Sequence, residues 1–309
     1  LTTVAQINGQ TGAALFQNAV NNTQAFQVQG TNQLSLLTVD TLHRNVTIGN
    51  SYGAFVDLPG GGSNSSVSTT NKAQLQITGD IDLSARLSLP DWTPASTSTI
   101  ITKDRMAAAN SSYGFYLMSS GVLQLYWRDS SSVQHTVQST VPTGIADGTT
   151  KWVRATLDVD NGSSEHEVAF YLSDDGVNWA QLGTTVITPG TTNITTSTST
   201  LRIGAGNSGG SEPLVGNAYR AIVKNGIDGT IVADMNPSQS GGTSPWSDAY
   251  GNIWTLGAVA SLQTSTSGGH NTVFSPESLT IYTGDGMHKG LIIQGSGNQT
   301  ANLTEWQTN

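Results

Sequence analysis

"KWVRATLDVDNGSSEHEVAFYLSDDGVNWAQLG", residues 151–183, decides the fold. Its two apolar runs, "KWVRATLDVDNG" (151–162) and "EVAFYLSDDG" (167–176), alternate or carry β-branched residues and end in turn signals, which is strand chemistry rather than helical periodicity. The adjacent carboxylates Asp174 and Asp175 invite a catalytic reading, because they stand in front of a glycine and close to Trp179. Neighbouring residues on an extended strand point to opposite faces, so these two would not address one substrate together. Asp-Gly is instead a hairpin signal: glycine tolerates positive φ, and the aspartate can accept from the turn's own amides. The expectation is a strand over Ala169–Ser173, a turn at "DDGVN" and a second strand over Trp179–Leu182.

The same grammar runs outward. "AFQVQG" (25–30), "LSLLTVD" (34–40) and "GFYLMSSGVLQLYW" (114–127) are further short strands punctuated by Gly, Asn, Asp and Pro. The weak helical candidate "TGAALFQNAVNN" (11–22) reads equally as a strand and a turn. Charged residues make up only 11% of the 309, against 35 glycines and 21 aromatics (seven Trp, eight Tyr, six Phe), so the composition is that of an all-β chain rich in tight turns. The net charge of −9 and the absence of any Lys/Arg cluster exclude nucleic acid as a partner, since nothing would neutralise phosphates. No apolar run reaches the ~20 residues of a membrane-spanning helix, so no membrane insertion is expected. With no cysteine, disulfides, thiolate metal sites and a Cys nucleophile are all excluded. No signal peptide is visible.

Two polar breaks divide the chain. "LPGGGSNSSVSTTNK" (58–72) reads as a linker or surface loop, and "LQTSTSGGHN" (262–271) is the second break. The expected organisation is therefore an N-terminal β-repeat stalk and linker (1–71), a large central domain (72–262) holding six of the seven tryptophans, and a C-terminal β-repeat stalk (263–309). The flanks share a pattern: "AFQVQGTNQLSLLTVD" (25–40) and "GLIIQGSGNQTANLTEW" (290–306) each place an apolar strand before Gln-Gly, a polar turn and a second strand. Self-similarity on both sides of an insertion points to one repeating element interrupted by a domain.

"AFQVQGTNQLSLLTVDTLHRNVTIGN" (25–50) and "KGLIIQGSGNQTANLTEWQTN" (289–309) resemble the short β repeats of bacteriophage tail fibres and related virion appendages. "EWQTN" stops where that element would continue, so the chain is expected to be part of something longer. The middle resembles a laminin-G-like (concanavalin-A-like) domain of phage minor tail proteins. The resemblance is carried by "DIDLSARLSLPDWTPA" (80–95), "DGTTKWVRATLDVDNG" (147–162), "FYLSDDGVNWAQLG" (170–183), "LRIGAGNSGGSEPLVGNAYRAIVKNGIDGTIVAD" (201–234) and "SDAYGNIWTLGAVASL" (247–262). It implies an all-β jelly-roll sandwich of two antiparallel sheets, borne at both ends on a trimeric stalk, without catalytic residues. A lone β repeat cannot bury both faces of its strands, so association of three copies would cover Phe26, Val28, Leu36 and Val39.

Catalytic chemistry finds little support. A hydrolase needs two carboxylates about 5–10 Å apart across a cleft, and the Glu-x-Asp-x-x-Glu strand of jelly-roll glucanases is missing. Glu165 and Glu167 share a face but follow a turn, and the five histidines (His43, His135, His166, His270, His288) are scattered. No strand-to-helix nucleophile elbow is expected to support a Ser–His–Asp arrangement, and no cofactor is required. Calcium is the metal such domains hold structurally. The candidate ligands are Asp80 with Asp82, Asp158 with Asp160, and Asp234 with Asp248, beside the competing reading that they cap turns or face solvent. For glycan binding the candidates are Trp92, Tyr113, Tyr116, Tyr126 and Trp246, which lie next to Pro, Ser or Gly; Trp127, Trp152, Trp179 and Trp254 sit in apolar strands and read as core. The expected role is a virion appendage, located on the virion, with other tail proteins and a host surface glycan as partners and a homotrimer as its state. A polysaccharide-degrading tail enzyme and a bacterial surface adhesin are the alternatives.

Overall fold

Along Ile81–Ser88 every second side chain is apolar, and Ile81, Leu83, Ala85 and Leu87 are all fully buried. Asp82, Ser84, Arg86 and Ser88 alternate with them and take the opposite face. This strand and its neighbours close one layer of a two-layer β-sandwich. The computed structural model describes residues 54–62, 64–103, 110–206 and 212–263, together with the backbones of short strands in both flanks.

In the N-terminal flank these strands are β1 (Ala5–Ile7), β2 (Ala14–Phe16), β3 (Phe26–Gln29), β4 (Ser35–Asp40) and β5 (Asn45–Ile48). The sandwich contains β6 (Phe55–Pro59), β7 (Val67–Thr69), β8 (Ile81–Ser88), β9 (Ser98–Lys103), β10 (Tyr113–Leu117), β11 (Leu123–Arg128) and β12 (Gln134–Gln138). It continues through β13 (Thr150–Asp158), β14 (Glu165–Ser173), β15 (Ala180–Gln181), β16 (Val186–Pro189), β17 (Leu201–Ile203), β18 (Val215–Asn225) and β19 (Thr230–Met235). It ends with β20 (Trp246–Ser247), β21 (Ile253–Leu256) and β22 (Ser261–Gln263), and the C-terminal flank adds β23 (Asn271–Phe274) and β24 (Leu279–Tyr282).

One sheet has eight strands in the order β12-β11-β10-β9-β17-β7-β21-β20. The other has nine, in the order β15-β14-β13-β8-β18-β6-β22, with β16 also on β14 and β19 also on β18. Every pairing is antiparallel, and the chain crosses repeatedly between the sheets, as a jelly roll requires. Between the layers lie Tyr113, Phe115, Leu125, Trp127 and Trp254 from the first sheet, and Leu83, Val153, Leu157 and Phe170 from the second. Each such side chain contributes roughly 1.5–3 kcal/mol by leaving water, ample for a chain without disulfides.

The chain divides into two compact units, Gly53–Ser265 and, separately, Leu1–Tyr52 with Thr266–Asn309. The stretch 58–72, expected to be a linker before a domain starting at 72, lies inside the sandwich. Leu58 and Pro59 complete β6, and β7 inserts between β17 and β21. The Gly and Ser content misled because β7 is only three residues long, and because Gly60, Gly61 and Gly62 take φ of 81°, 86° and 111° to turn the chain from one sheet to the other. β22 returns to pair with β6, Gln263 opposite Phe55, so the sandwich begins and ends on adjacent strands.

In the flanking unit β3 and β4 form a hairpin, and β5 pairs with β23 across the insertion, Ile48 opposite Thr272. The two flanks thus contribute to one five-stranded sheet, β24-β23-β5-β4-β3. The side chains of Phe26, Val28, Leu36 and Val39, and the C-terminal repeat 290–306, lie outside the described residues.

Gly216 has φ +136°, and a Cβ there would stand 2.5 Å from the Ser88 carbonyl oxygen in the neighbouring strand. Gly216→Ala is expected to lower stability by about 1–3 kcal/mol, as strained positions do, read from the urea midpoint of unfolding.

Candidate functional site

The face of the nine-stranded sheet that turns away from the core is built from the alternate residues of β8, β13, β14 and β18. Its anchor is Asp82, 1% exposed, which receives Nε and Nη2 of Arg154 at 3.0 and 2.8 Å in a two-pronged contact. Lys224 Nζ lies 3.2 Å from the same carboxylate, and the Asp228 backbone amide donates to it at 3.1 Å. Arg154 also reaches Asp228 at 2.7 Å. Asp228 is largely exposed; burial opposes its ionisation, but the Arg154 hydrogen bond and the charges of Arg154 and Lys224 hold its carboxyl below the ordinary value.

Arg154 lies between two rings, its guanidinium carbon 5.2 Å from the Tyr171 centroid and 5.4 Å from that of Trp179. Tyr171 stands there because it pairs with Arg154 across β13 and β14. Trp179 arrives through the turn 174–178. Ser173 and Asp175 organise that turn: the Asp175 carboxylate accepts from the amides of Val177 and Asn178, both at 2.8 Å, and from the Asn178 side chain at 2.7 Å. Those hydrogen bonds, that of the Asn178 amide foremost, hold the Asp175 carboxyl far below its usual range. Gly176 folds onto Trp152, whose ring meets Trp179 edge-on at 6.3 Å. Asp174 is exposed and pairs with Lys151, so the two carboxylates have separate structural roles, as the Asp-Gly turn predicted.

Across β8 the row continues. Arg86 pairs with Trp152 on one side and Arg220 on the other, and its guanidinium carbon sits 5.0 Å above the Tyr219 ring. Tyr219 contacts Phe55 at 5.3 Å between centroids, and Arg220 holds Asp234 with two bonds of 2.7 Å. Burial lowers the Arg86 pKa from its ordinary value, partly countered by Tyr219. The face therefore presents a row of rings and guanidinium groups, of which Arg154 and Arg220 are held by ion pairs.

The five expected glycan platforms are elsewhere. Trp92, Tyr113 and Trp246 belong to the core, with Trp92 donating to Thr149 O at 3.2 Å. Tyr116 and Tyr126 alternate with Phe115 and Leu125, so they point to the outer side of the eight-stranded sheet, yet both are fully buried. A buried ring cannot stack on a sugar, which removes all five from that role. Trp127 and Trp254 are core, as their strands implied; Trp152, also expected in the core, is buried but on the outer side of its sheet, and Trp179, expected in the core as well, is half-buried there. Strand register separates the two sets: Trp152 shares the parity of Arg154, opposite to Val153 and Ala155.

The six aspartates do not assemble as a metal site; among the described residues no group of three or more His, Asp or Glu side chains could hold an ion. Asp82 and Asp234 are taken by arginines. Asp248 accepts five hydrogen bonds, from the Asp234, Tyr250 and Asn252 amides and the Asn252 and Trp254 side chains. Asp80, Asp158 and Asp160 accept from the amides of Val159, Asp160 and Gly162. Glu165 reaches the Asn161 side chain at 3.4 Å, and Glu167 pairs across the strands with Asp158. Two of the scattered histidines do meet: His135 stacks on Trp127 at 4.9 Å and lies 6.0 Å from His166, but it binds Asp129 and His166 binds Gly190 O. His43, His270 and His288 lie outside the described residues.

No protein-family model and no curated protein matches the chain. Among solved structures it is similar to a native heptameric SAP-like pentraxin from Limulus polyphemus, at 14% identity and TM-score 0.43, over 70% of this chain and 97% of that one. It is similar to the CBM40 of Ruminococcus gnavus IT-sialidase bound to α2,3 sialyllactose at 12% identity and TM-score 0.33, covering 58% and 90%. A third is the binding domain of Paraclostridial Mosquitocidal Protein 1, at 10% identity and TM-score 0.29, covering 67% and 49%. Likenesses this remote carry nothing about what this chain binds.

Asp82→Asn is expected to cost about 3 kcal/mol in urea unfolding, because it removes the buried counter-charge that Arg154 and Lys224 share and leaves them only the exposed Asp228. Replacing both partners by apolar residues should restore most of that loss. The Asp175 carboxyl titrates lower in the folded chain than in the unfolded one. Its contribution to the turn is therefore present above the ordinary carboxylate range and is lost as pH falls through the depressed folded value. Amide exchange at Val177 and Asn178 should accordingly show unchanged protection from pH 7 to about pH 4, with opening only in stronger acid.

Proposed function

We propose that the sandwich is a glycan-binding module and that the flanking β elements assemble three chains into a stalk. Together they form part of a phage virion appendage, a tail fibre or minor tail protein, that engages a bacterial surface through host glycan and binds other tail proteins. The observation that carries the binding reading is the row of rings and guanidinium groups on the outer face of the nine-stranded sheet, with Arg154 clasped between Tyr171 and Trp179 and Arg86 above Tyr219. Sugar rings offer an apolar C–H face to aromatics and hydroxyls to charged groups, and side chains already fixed by ion pairs lose little freedom on binding.

In this reading the module holds a saccharide rather than cleaving it, which the engagement of Asp82, Asp228 and Asp234 by arginines supports. Single-site affinity on a shallow face is weak. Three copies on one stalk would multiply it, by roughly 10²–10⁴ where geometry allows simultaneous engagement. The stalk reading rests on the tail-fibre resemblance of the flanks and on β3 and β24, which end the five-stranded sheet and are edges that a neighbouring chain could cover.

Light scattering of the full chain is expected to give three times the monomer mass, and a monomer would remove the stalk. On an array of bacterial surface saccharides the full chain should bind a subset. Trp179→Ala and Tyr219→Ala should each weaken that binding roughly tenfold, about 1.4 kcal/mol, with the unfolding midpoint little changed. Binding unaffected by either substitution would move the site off this face.

A further inference from the structure

The outer face contains its own pattern for satisfying arginine. Arg154 receives both oxygens of Asp82, and Arg220 both oxygens of Asp234. Such two-pronged contacts match the planar fork of a guanidinium to the planar carboxylate. Arg86 lies between them on the central strand β8, half-buried, and among the described residues it contacts the Tyr219 ring but pairs with no carboxylate. Its cross-strand neighbours are Trp152 and Arg220, neither of which can accept from it. The remaining carboxylate of this region, Asp57, is two strands away and makes no ion pair with it.

We propose that Arg86 is the anion-recognition residue of this face and that the glycan it selects bears a carboxylate, as uronic and sialic acids do. This rests on the glycan-binding reading above and narrows it to acidic saccharides. The ring of Tyr219 lies 5.0 Å from the guanidinium carbon, and the half-buried Arg86 has no described carboxylate against its fork. A sugar carboxylate arriving there would complete the third fork of the row, while its pyranose ring lies against the half-buried Tyr219. The two arginines beside it are already neutralised by Asp82 and Asp234, so they add no competing free charge. A chain with a net charge of −9 would otherwise repel an acidic polymer, which makes one uncompensated arginine on a face of paired charges a selective feature.

The test uses the full chain on an array in which every acidic saccharide is printed beside its carboxyl-reduced counterpart, with neutral and phosphorylated saccharides included. The expected result is binding to acidic members that falls at least tenfold on carboxyl reduction. Arg86→Gln should reproduce that loss on acidic members, and Arg86→Lys, which keeps the charge without the fork, should retain part of the binding. Near-ultraviolet circular dichroism checks that each variant is folded. The carboxyl-reduction comparison needs no variant, so it stands even if one fails to fold. Equal binding to acidic and reduced members, or binding that follows phosphate instead, overturns the role of Arg86 and leaves glycan recognition intact. An array with no bound saccharide of any kind overturns the glycan reading itself, and this inference with it.

Discussion

The contact of Arg154 with Asp82 governs how the nine-stranded sheet is put together. A carboxylate that is 1% exposed is tolerable only with its counter-charge in place, and the Arg154 fork fits it in one register of β13 against β8. Lys224 and the Asp228 amide approach the same carboxylate from β18 and the turn after it, so three strands are aligned by one group. A slip of one residue on β8 would send Asp82 into the core beside Leu83 and Leu157, and a slip on β13 or β18 would send Arg154 or Lys224 there. The outer face inherits its rigidity from this arrangement, because the guanidinium that fixes register is the one that contacts Tyr171 and Trp179.

Much of the architecture was legible in the chain. Alternation in 151–158 and 165–173 marked the strands, and Asp-Gly at 175–176 marked the turn, because these signals are local and depend on backbone geometry alone. The short β7 was not legible: three residues among serines and threonines carry no periodicity, and its place between β17 and β21 is set by partners more than a hundred residues away. Strands at 25–30 and 34–40 were marked in the flank, whereas the repeat expected at 290–306 lies outside the described residues and the pairing of β5 with β23 depends on where the inserted unit returns the chain.

The site was read less well, for a definite reason. Sorting aromatics by their neighbours in the chain placed Tyr116 and Tyr126 at the surface and Trp152 and Trp179 in the core. What decides the matter is the parity of each position along its strand and whether anything covers that face. Trp152 shares parity with Arg154, a charge that cannot face the core, and that signal was present at 152–154. Trp179 follows the turn and could be placed only by the fold of Gly176 onto Trp152. The aspartates were overvalued as ligands because sequence shows carboxylates without their partners: Asp248, with its five donors, resembles a calcium ligand until the amides of Asn252 and Tyr250 are seen to fill it.

The pairing of β6 with β22 bears on how such a chain could have arisen. Because the first and last strands of the sandwich lie side by side, and β5 and β23 of the other unit do too, each unit closes upon itself at the two points where the chain crosses between them. A gene segment encoding about residues 53–265 could be exchanged for another whose ends are equally close without disturbing the ladder from Val46 to Ile48. Modularity of that kind would let the sandwich diversify by recombination while the flanking strands are inherited unchanged.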